Sequence, residues 1–426
     1  MGNKRYIASL DVGTKKVCAL IAEITEDDLE IIGVGLSPSH GLRKGIVVDI
    51  EEASHAIQEA VLNAERMAGV EVNSVFVGIA GSHISSQNSH GVVAVTGKDR
   101  EITKSDIDRA MEAARGIPLG QGEKIIHAVP REFVVDGTGG IKHPQGMSGI
   151  RLEVETPIVT GSATSIDNLA KSVKRADLHI EEVVLEQIAS SEAVLNSDEK
   201  ELGVALVDIG GGTSDFILFH ENSIAYTSVL PVGGNHVSND IAVGLKTPVS
   251  EAEKIKIKYG AATTDDIDRE EKIKVVSASG NEKRKVSRRY LCQLIEPRME
   301  ELFVLVNKEL NNAGTVEKTP GGLVLTGGAS LLQGSSKLAE EITDLSVRIG
   351  EPEYIDELSE IIENPVYTRR TDQTPRAVYS TAVGLLLYAL NYTSAGKSRV
   401  SRNKRSSGQI VGDFFKRMKD FFDDFF

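Results

Sequence analysis

The 426-residue chain is short of cysteine: Cys18 and Cys292 are the only two, and they form no CxxC pair. That makes a disulfide framework or a cysteine zinc site improbable, so a reducing compartment is the simplest reading. The nine histidines are scattered and none falls in an HExxH pattern, so no metal-ligand role is assigned to them. Long apolar runs are also missing. The stretch from Ala382 to Leu390 falls well short of the ~20 residues that span a bilayer. The first residues run directly into a strand-like segment, unlike a signal peptide, and Tyr6 stands where a myristoylation pattern wants Ser or Thr. Positive charge is in deficit, with 48 Lys+Arg against 62 Asp+Glu. A general nucleic-acid binder needs a basic face, so nucleic acid is not an expected partner. The length suggests two to four domains, and an apolar content of 40% is ordinary for a globular protein.

The charge that is present is unevenly placed. Residues 397–426 carry a net +4, leaving −18 on the rest. Residues 397–408 read as a flexible basic linker. Residues 409–426 place apolar side chains at 410, 411, 414, 415, 418, 421, 422, 425 and 426, the spacing of one helical face. Phe414, Phe415, Met418, Phe421, Phe422, Phe425 and Phe426 dominate that face. So short a helix is marginal alone in water, and something must cover it. Docking on the chain's own core or a partner helix is one reading; a membrane-surface helix is the other, favoured by the terminal position behind a basic linker. Six buried Phe would contribute on the order of 9 kcal/mol gross. Each linker cation would add roughly 1 kcal/mol near anionic lipid.

Two further segments share a pattern. Tyr6-Ile-Ala-Ser-Leu-Asp11-Val-Gly13-Thr14 runs through a turn into an apolar strand, and Gly203-Val-Ala-Leu-Val-Asp208-Ile-Gly210-Gly211-Gly212-Thr213-Ser-Asp215 does the same. Repetition of strand, Asp, Gly turn and strand suggests two related halves. Glycines let backbone N–H groups approach phosphate oxygens, and Thr hydroxyls donate further bonds. Asp11 and Asp208 can hold Mg²⁺, through water, because that ion keeps several aquo ligands. No GxxxxGK[ST] loop occurs. A third element, Gly322-Leu-Val-Leu-Thr326-Gly327-Gly328, ends an apolar strand in two glycines that suit close approach of a base or ribose.

With these motifs in order, the chain resembles the actin/DnaK/sugar-kinase ATPase superfamily. Its connecting helices would be the segments 184–195 and 379–390. Within that superfamily it is similar to the FtsA family of bacterial division proteins. The resemblance rests on Ile32-Gly-Val-Gly, Gly41-Leu-Arg-Lys-Gly-Ile-Val-Val-Asp49, Gly81-Ser-His-Ile-Ser, Gly146-Met-Ser-Gly-Ile-Arg151, Ile295-Glu-Pro-Arg298 and Tyr379-Ser-Thr-Ala-Val-Gly384. It implies an α/β, actin-like ATPase fold of two related lobes, an inserted 1C subdomain and a C-terminal amphipathic helix. Subdomain 1A would take 1–83 and 164–200, with 1C at 84–163 between them. Subdomain 2A would take 201–232 and 316–377, with 2B at 233–315. Residues 378–396 would return to 1A, followed by the linker 397–408 and the helix 409–426.

The resemblance also implies ATP and Mg²⁺ as cofactors, with Lys15 and Gly234 joining the residues above. Glu253 and Lys256, one helical turn apart, would reach ribose and base, unless they are only a solvated ion pair. Glu186 sits where related ATPases orient the attacking water, although a surface Glu on a buried helix fits equally; hydrolysis is expected to be weak at most. Arg288 and Arg298, beside the basic cluster Lys283, Arg284, Lys285 and Arg289, would hold acidic groups of the FtsZ C-terminal peptide. Other implied partners are further copies of the chain in a filament, anionic lipid, and later division proteins through 1C. The location would be peripheral, on the cytoplasmic face of the inner membrane at the division site. A PilM-like adaptor of another membrane assembly is the alternative.

Overall fold

The computed structural model describes residues 5–24, 29–278, 283–314, 319–352 and 376–395. The proposed linker and terminal helix, with Phe414, Phe415, Met418, Phe421, Phe422, Phe425 and Phe426, lie outside the described residues.

Two five-stranded sheets carry one topology twice. In the first, the order is His179–Leu185, Ser74–Ile79, Arg5–Val12, Lys16–Ile24, Leu29–Pro38. In the second it is Val347–Ile349, Leu323–Thr326, Val204–Ile209, Ser214–His220, Ser223–Leu230. Each sheet has an antiparallel meander of three strands and then two parallel strands reached by crossovers. The first strand of each meander is central and nearly continuously apolar, as a strand covered on both faces must be. The two related halves expected from the repeated Asp–Gly pattern are these sheets.

Side-chain alternation divides the second sheet between two cores. Val204, Leu206, Ile217, Phe219 and Val324 point toward the first lobe and join its core. Ala205, Val207, Ile209, Phe216 and Leu218 point the other way, into a core built on helix Arg288–Asn312. Helices Glu186–Val194 and Ser380–Ala395 lie between the lobes. They approach so closely that a Cβ on Gly384 would fall 1.8 Å from the Ala189 carbonyl oxygen. The first of them starts later than 184, because Val184 and Leu185 complete the strand His179–Leu185. The Ile32-Gly-Val-Gly motif has a similar cause. A Cβ on Gly35 would lie 1.8 Å from the Ala60 carbonyl oxygen and one on Gly33 2.5 Å from that of Ala64, so helix Ile50–Ala68 packs directly on the strand backbone.

Between Ile79 and Ala163 the chain builds a third sheet, ordered Thr138–Ile141, Glu132–Val135, Arg151–Ser162, Ser85–Ala94, with Glu123–Ala128 pairing the far half of Arg151–Ser162. Helix Lys104–Arg115 packs on it, started by a Thr103/Asp106 capping box. Glu123–Ala128 and Glu132–Val135 are separate strands. The chain breaks between them at Val129-Pro130-Arg131, where proline cannot donate to a ladder. Among the described residues no helix is long and apolar enough to cross a membrane.

Candidate functional site

The two Asp–Gly hairpins have the same turn. Gly13 N–H donates to the Lys16 carbonyl at 3.0 Å, and Gly210 N–H donates to the Thr213 carbonyl at 3.0 Å. The turns meet across a cleft of about 860 Å³, large enough for a bound nucleotide-sized molecule. Gly212 lies against the opposing turn: its Cβ would fall 2.8 Å from Thr14 Oγ1 and 3.0 Å from Lys44 Cα. Gly327 has φ +82°, and a Cβ there would sit 2.3 Å from Asp208 Oδ1, so this position demands glycine on both counts.

All the sequence-derived cleft candidates line this one cavity. Asp11, Gly13, Thr14 and Lys15 come from the first turn; Asp208, Gly210, Gly211, Gly212, Thr213 and Asp215 come from the second. Gly234, Glu253, Lys256, Gly327, Gly328 and Glu186 complete the set. Lys15 Nζ reaches Glu253 across the cleft at 3.6 Å. Glu253 also accepts from Ser238, and Lys256 Nζ donates to the Gly234 carbonyl at 3.0 Å and to Glu253 at 3.1 Å. Burial lowers the Lys256 pKa despite the pull of Glu253. Glu253 shifts down as well, since Lys256, Ser238 and Lys15 together outweigh its own burial. Val237, Ile257, Leu331 and Leu332 add an apolar wall nearby, suited to a flat ring.

The deep end is acidic. Asp208 and Asp215 face each other directly in the hairpin register. Burial is the main cause that pushes Asp208, Asp215 and Glu186 above the ordinary carboxylate range, and their mutual repulsion with Asp11 adds to it. Asp11 is paired with Lys16 Nζ at 2.9 Å. Burial opposes the charge on Lys16, but Asp11 more than offsets this and its pKa rises. Asp215 Oδ1 is buried with no hydrogen-bond partner among the described residues. An uncompensated group of this kind fits a divalent cation. No three carboxylates among the described residues come close enough to ligate one directly, so the fit is to a hydrated ion held through water.

Sequence reasoning missed the residues that set this end of the cleft. Ser190 Oγ donates to Asp208 Oδ2 at 2.6 Å and Thr381 Oγ1 donates to the same oxygen at 3.1 Å, one from each connecting helix. Lys16 and Asn235 were also unmarked, though both line the cavity. Ser190 and Thr381 lay inside helices already singled out, but nothing in one sequence says which hydroxyl faces inward.

Arg288 and Arg298 are not brought together. Arg288 is only 7% exposed and lines the cleft instead of an outer face. Its guanidinium donates to the Tyr259 carbonyl, Glu271 and Gln333 at 2.8–2.9 Å, leaving little for an external peptide. Its place in the first turn of Arg288–Asn312, against Tyr259 and Gln333, turns it inward. Arg298 stays partly exposed, paired with Asp240 at 2.7 Å and with Glu301.

Duplicated sheets joined by two crossing helices, with paired Asp–Gly turns facing a cleft, define an actin-like fold. Solved structures of that class agree. The PilM–PilN type IV pilus biogenesis complex matches with TM-score 0.65 at 15% identity, covering 90% of this chain and 98% of that one. MreB5 of Spiroplasma citri bound to ADP matches with TM-score 0.51 at 16% identity, over 85% of this chain and 98% of that one. The family model for cell division protein FtsA matches residues 205–371, and the model for the SHS2 domain inserted in FtsA matches 81–160. The cell division protein FtsA of Pseudomonas aeruginosa is 43% identical over 97% of both chains. That of Bacillus subtilis is 37% identical over 97% of this chain and 87% of its own, and that of Escherichia coli 35% over 98% and 97%. The chain belongs to the FtsA family of cell division proteins.

Proposed function

We propose that the chain binds ATP with Mg²⁺ in the interlobe cleft, polymerises on the inner face of the cytoplasmic membrane, and tethers FtsZ filaments there during septum assembly. The observation that carries the nucleotide reading is the pairing of two equivalent glycine turns with buried, mutually repelling carboxylates. The backbone N–H groups around Gly13 and Gly210–Gly212 would receive phosphate oxygens, with Thr14 and Thr213 adding hydroxyl donors. Asp11, Asp208 and Asp215 would hold the hydrated Mg²⁺, which neutralises phosphate charge when bound. Glu253 and Lys256 would face ribose and base, beside Gly234, Gly327 and Gly328. A ligand touching both turns favours the closed arrangement of the lobes, which links nucleotide to assembly. Glu186, which lines the cleft, would orient the attacking water, and hydrolysis is expected to be weak at most.

Tethering rests on the sequence pattern of 409–426 behind the basic linker. Capture of the FtsZ C-terminal peptide, which carries acidic groups, is assigned to the exposed side of residues 233–315, with Arg298 as the member of the Arg288/Arg298 pair that stays partly exposed. Flotation with anionic vesicles tests the first part. The full chain should float, and a chain truncated after Gly396 should stay in the bottom fraction. A pull-down on that peptide tests the second, and failure to retain the full chain would favour a pilus-type adaptor role.

A further inference from the structure

The inserted sheet touches both lobes. On the first-lobe side, His127 of strand Glu123–Ala128 is buried, and its Nε2 accepts the Leu185 N–H at 3.2 Å. Leu185 is the N-cap of helix Glu186–Val194 and has no side-chain cap bond. This imidazole therefore holds the backbone immediately before Glu186. Burial lowers the His127 pKa to about 4, so the ring is neutral and Nε2 is free to accept.

On the second-lobe side, Lys142 Nζ donates to Ser223 Oγ at 2.9 Å and to the Arg131 carbonyl at 3.1 Å. Ser223 Oγ donates to the same Arg131 carbonyl at 3.1 Å. Ser223 opens the edge strand Ser223–Leu230, and Thr227 on that strand accepts from Gln187 Nε2 at 2.9 Å. Gln187 directly follows Glu186. The chain segment leading into the insert borders the same region. His83 has both ring nitrogens buried without partners among the described residues, and it lines a small cavity whose wall includes Glu186.

We infer that the inserted subdomain is a strap between the lobes, and that His127 is a positioning residue for Glu186. The inference rests on reading the cleft as the ATP site. A rigid sheet anchored to both lobes cannot keep both anchors unchanged when the lobes rotate about the connecting helices. Cleft closure therefore shifts the insert, and the coupling runs both ways: a partner that grips the insert changes ATP affinity by the same factor that ATP changes the partner's.

Hydrogen–deuterium exchange on the full-length chain, with and without ATP and Mg²⁺, tests this. ATP should change exchange in Glu123–Ala128 and in Glu132–Val135. In His127→Leu the change in the first strand should fall about threefold or more, and in His127→Gln, whose amide oxygen can replace Nε2 as acceptor, it should persist. Lys142→Met, at a partly exposed position, leaves only the Ser223–Arg131 bond on that side, should weaken the response in the second strand, and carries the test if His127→Leu does not fold. The strap is overturned if ATP binds but leaves both strands unchanged, or if His127→Leu and His127→Gln behave alike. Calorimetry on the same samples separates that result from a chain that binds no ATP, which would remove the nucleotide reading itself.

Discussion

The Ser190 hydroxyl donates to Asp208 at 2.6 Å, and this bond joins a connecting helix to the second glycine hairpin. Asp208 would otherwise stand buried beside Asp215 with Thr381 as its other donor. Ser190 thus fixes the carboxylate that the nucleotide reading assigns to the hydrated cation.

Ser190→Ala is expected to weaken Mg²⁺-dependent ATP binding about tenfold, in the range typical for removing a group that orients a metal-site carboxylate. Binding without Mg²⁺ should change much less. Equal losses with and without the ion, measured by calorimetry, would place the role of Ser190 elsewhere.

Glu186→Gln should stabilise the nucleotide-free chain. Burial first, and then Asp11, Asp215 and Asp208, push the Glu186 pKa well above the ordinary carboxylate range. A raised folded-state carboxylate binds more protons folded than unfolded, so its contribution to stability falls as pH rises above about 4. The gain in melting temperature of the variant over the parent should therefore grow with pH. A gain that shrinks with rising pH would contradict the electrostatic account.

His127 works in the opposite direction. Burial lowers its pKa from 6.5 to about 4, so the unfolded chain takes the proton first. The stability tied to its neutral form is present above about pH 6.5 and is lost as pH falls toward 4, on the order of 3 kcal/mol in all. Denaturant melts of the parent and His127→Gln at successive pH values should show the variant losing less on acidification. Parallel curves would mean that His127 does not titrate in this way.

Gly384→Ala should destabilise the chain by about 1–3 kcal/mol or more, since even a methyl group meets backbone at the helix crossing. A Cβ there lies 1.8 Å from the Ala189 carbonyl oxygen. An unchanged melting temperature would show that the two helices can separate freely.

What the sequence displayed was local chemistry. The paired Asp–Gly turns were readable because strand periodicity and turn glycines lie within a dozen residues of one another. The internal duplication followed from seeing them twice, and the matching sheet topologies are its structural form. Hidden were relations that folding creates at long range. Ser190 and Thr381 meet on one oxygen of Asp208 from positions 191 residues apart. Gly33, Gly35 and Gly384 were visible in motifs, but the close backbone approaches that require glycine there were not. Arg288 misled because it stands in a run of basic residues; only the packing of its helix shows that it faces inward.

Isothermal calorimetry of ATP with Mg²⁺ titrated into the full-length chain decides whether the interlobe cleft is a nucleotide site. Saturable binding at one site per chain is expected, weakened about tenfold or more in Asp208→Asn. Absence of any binding by the parent chain, or undiminished binding by the variant, would contradict the nucleotide reading.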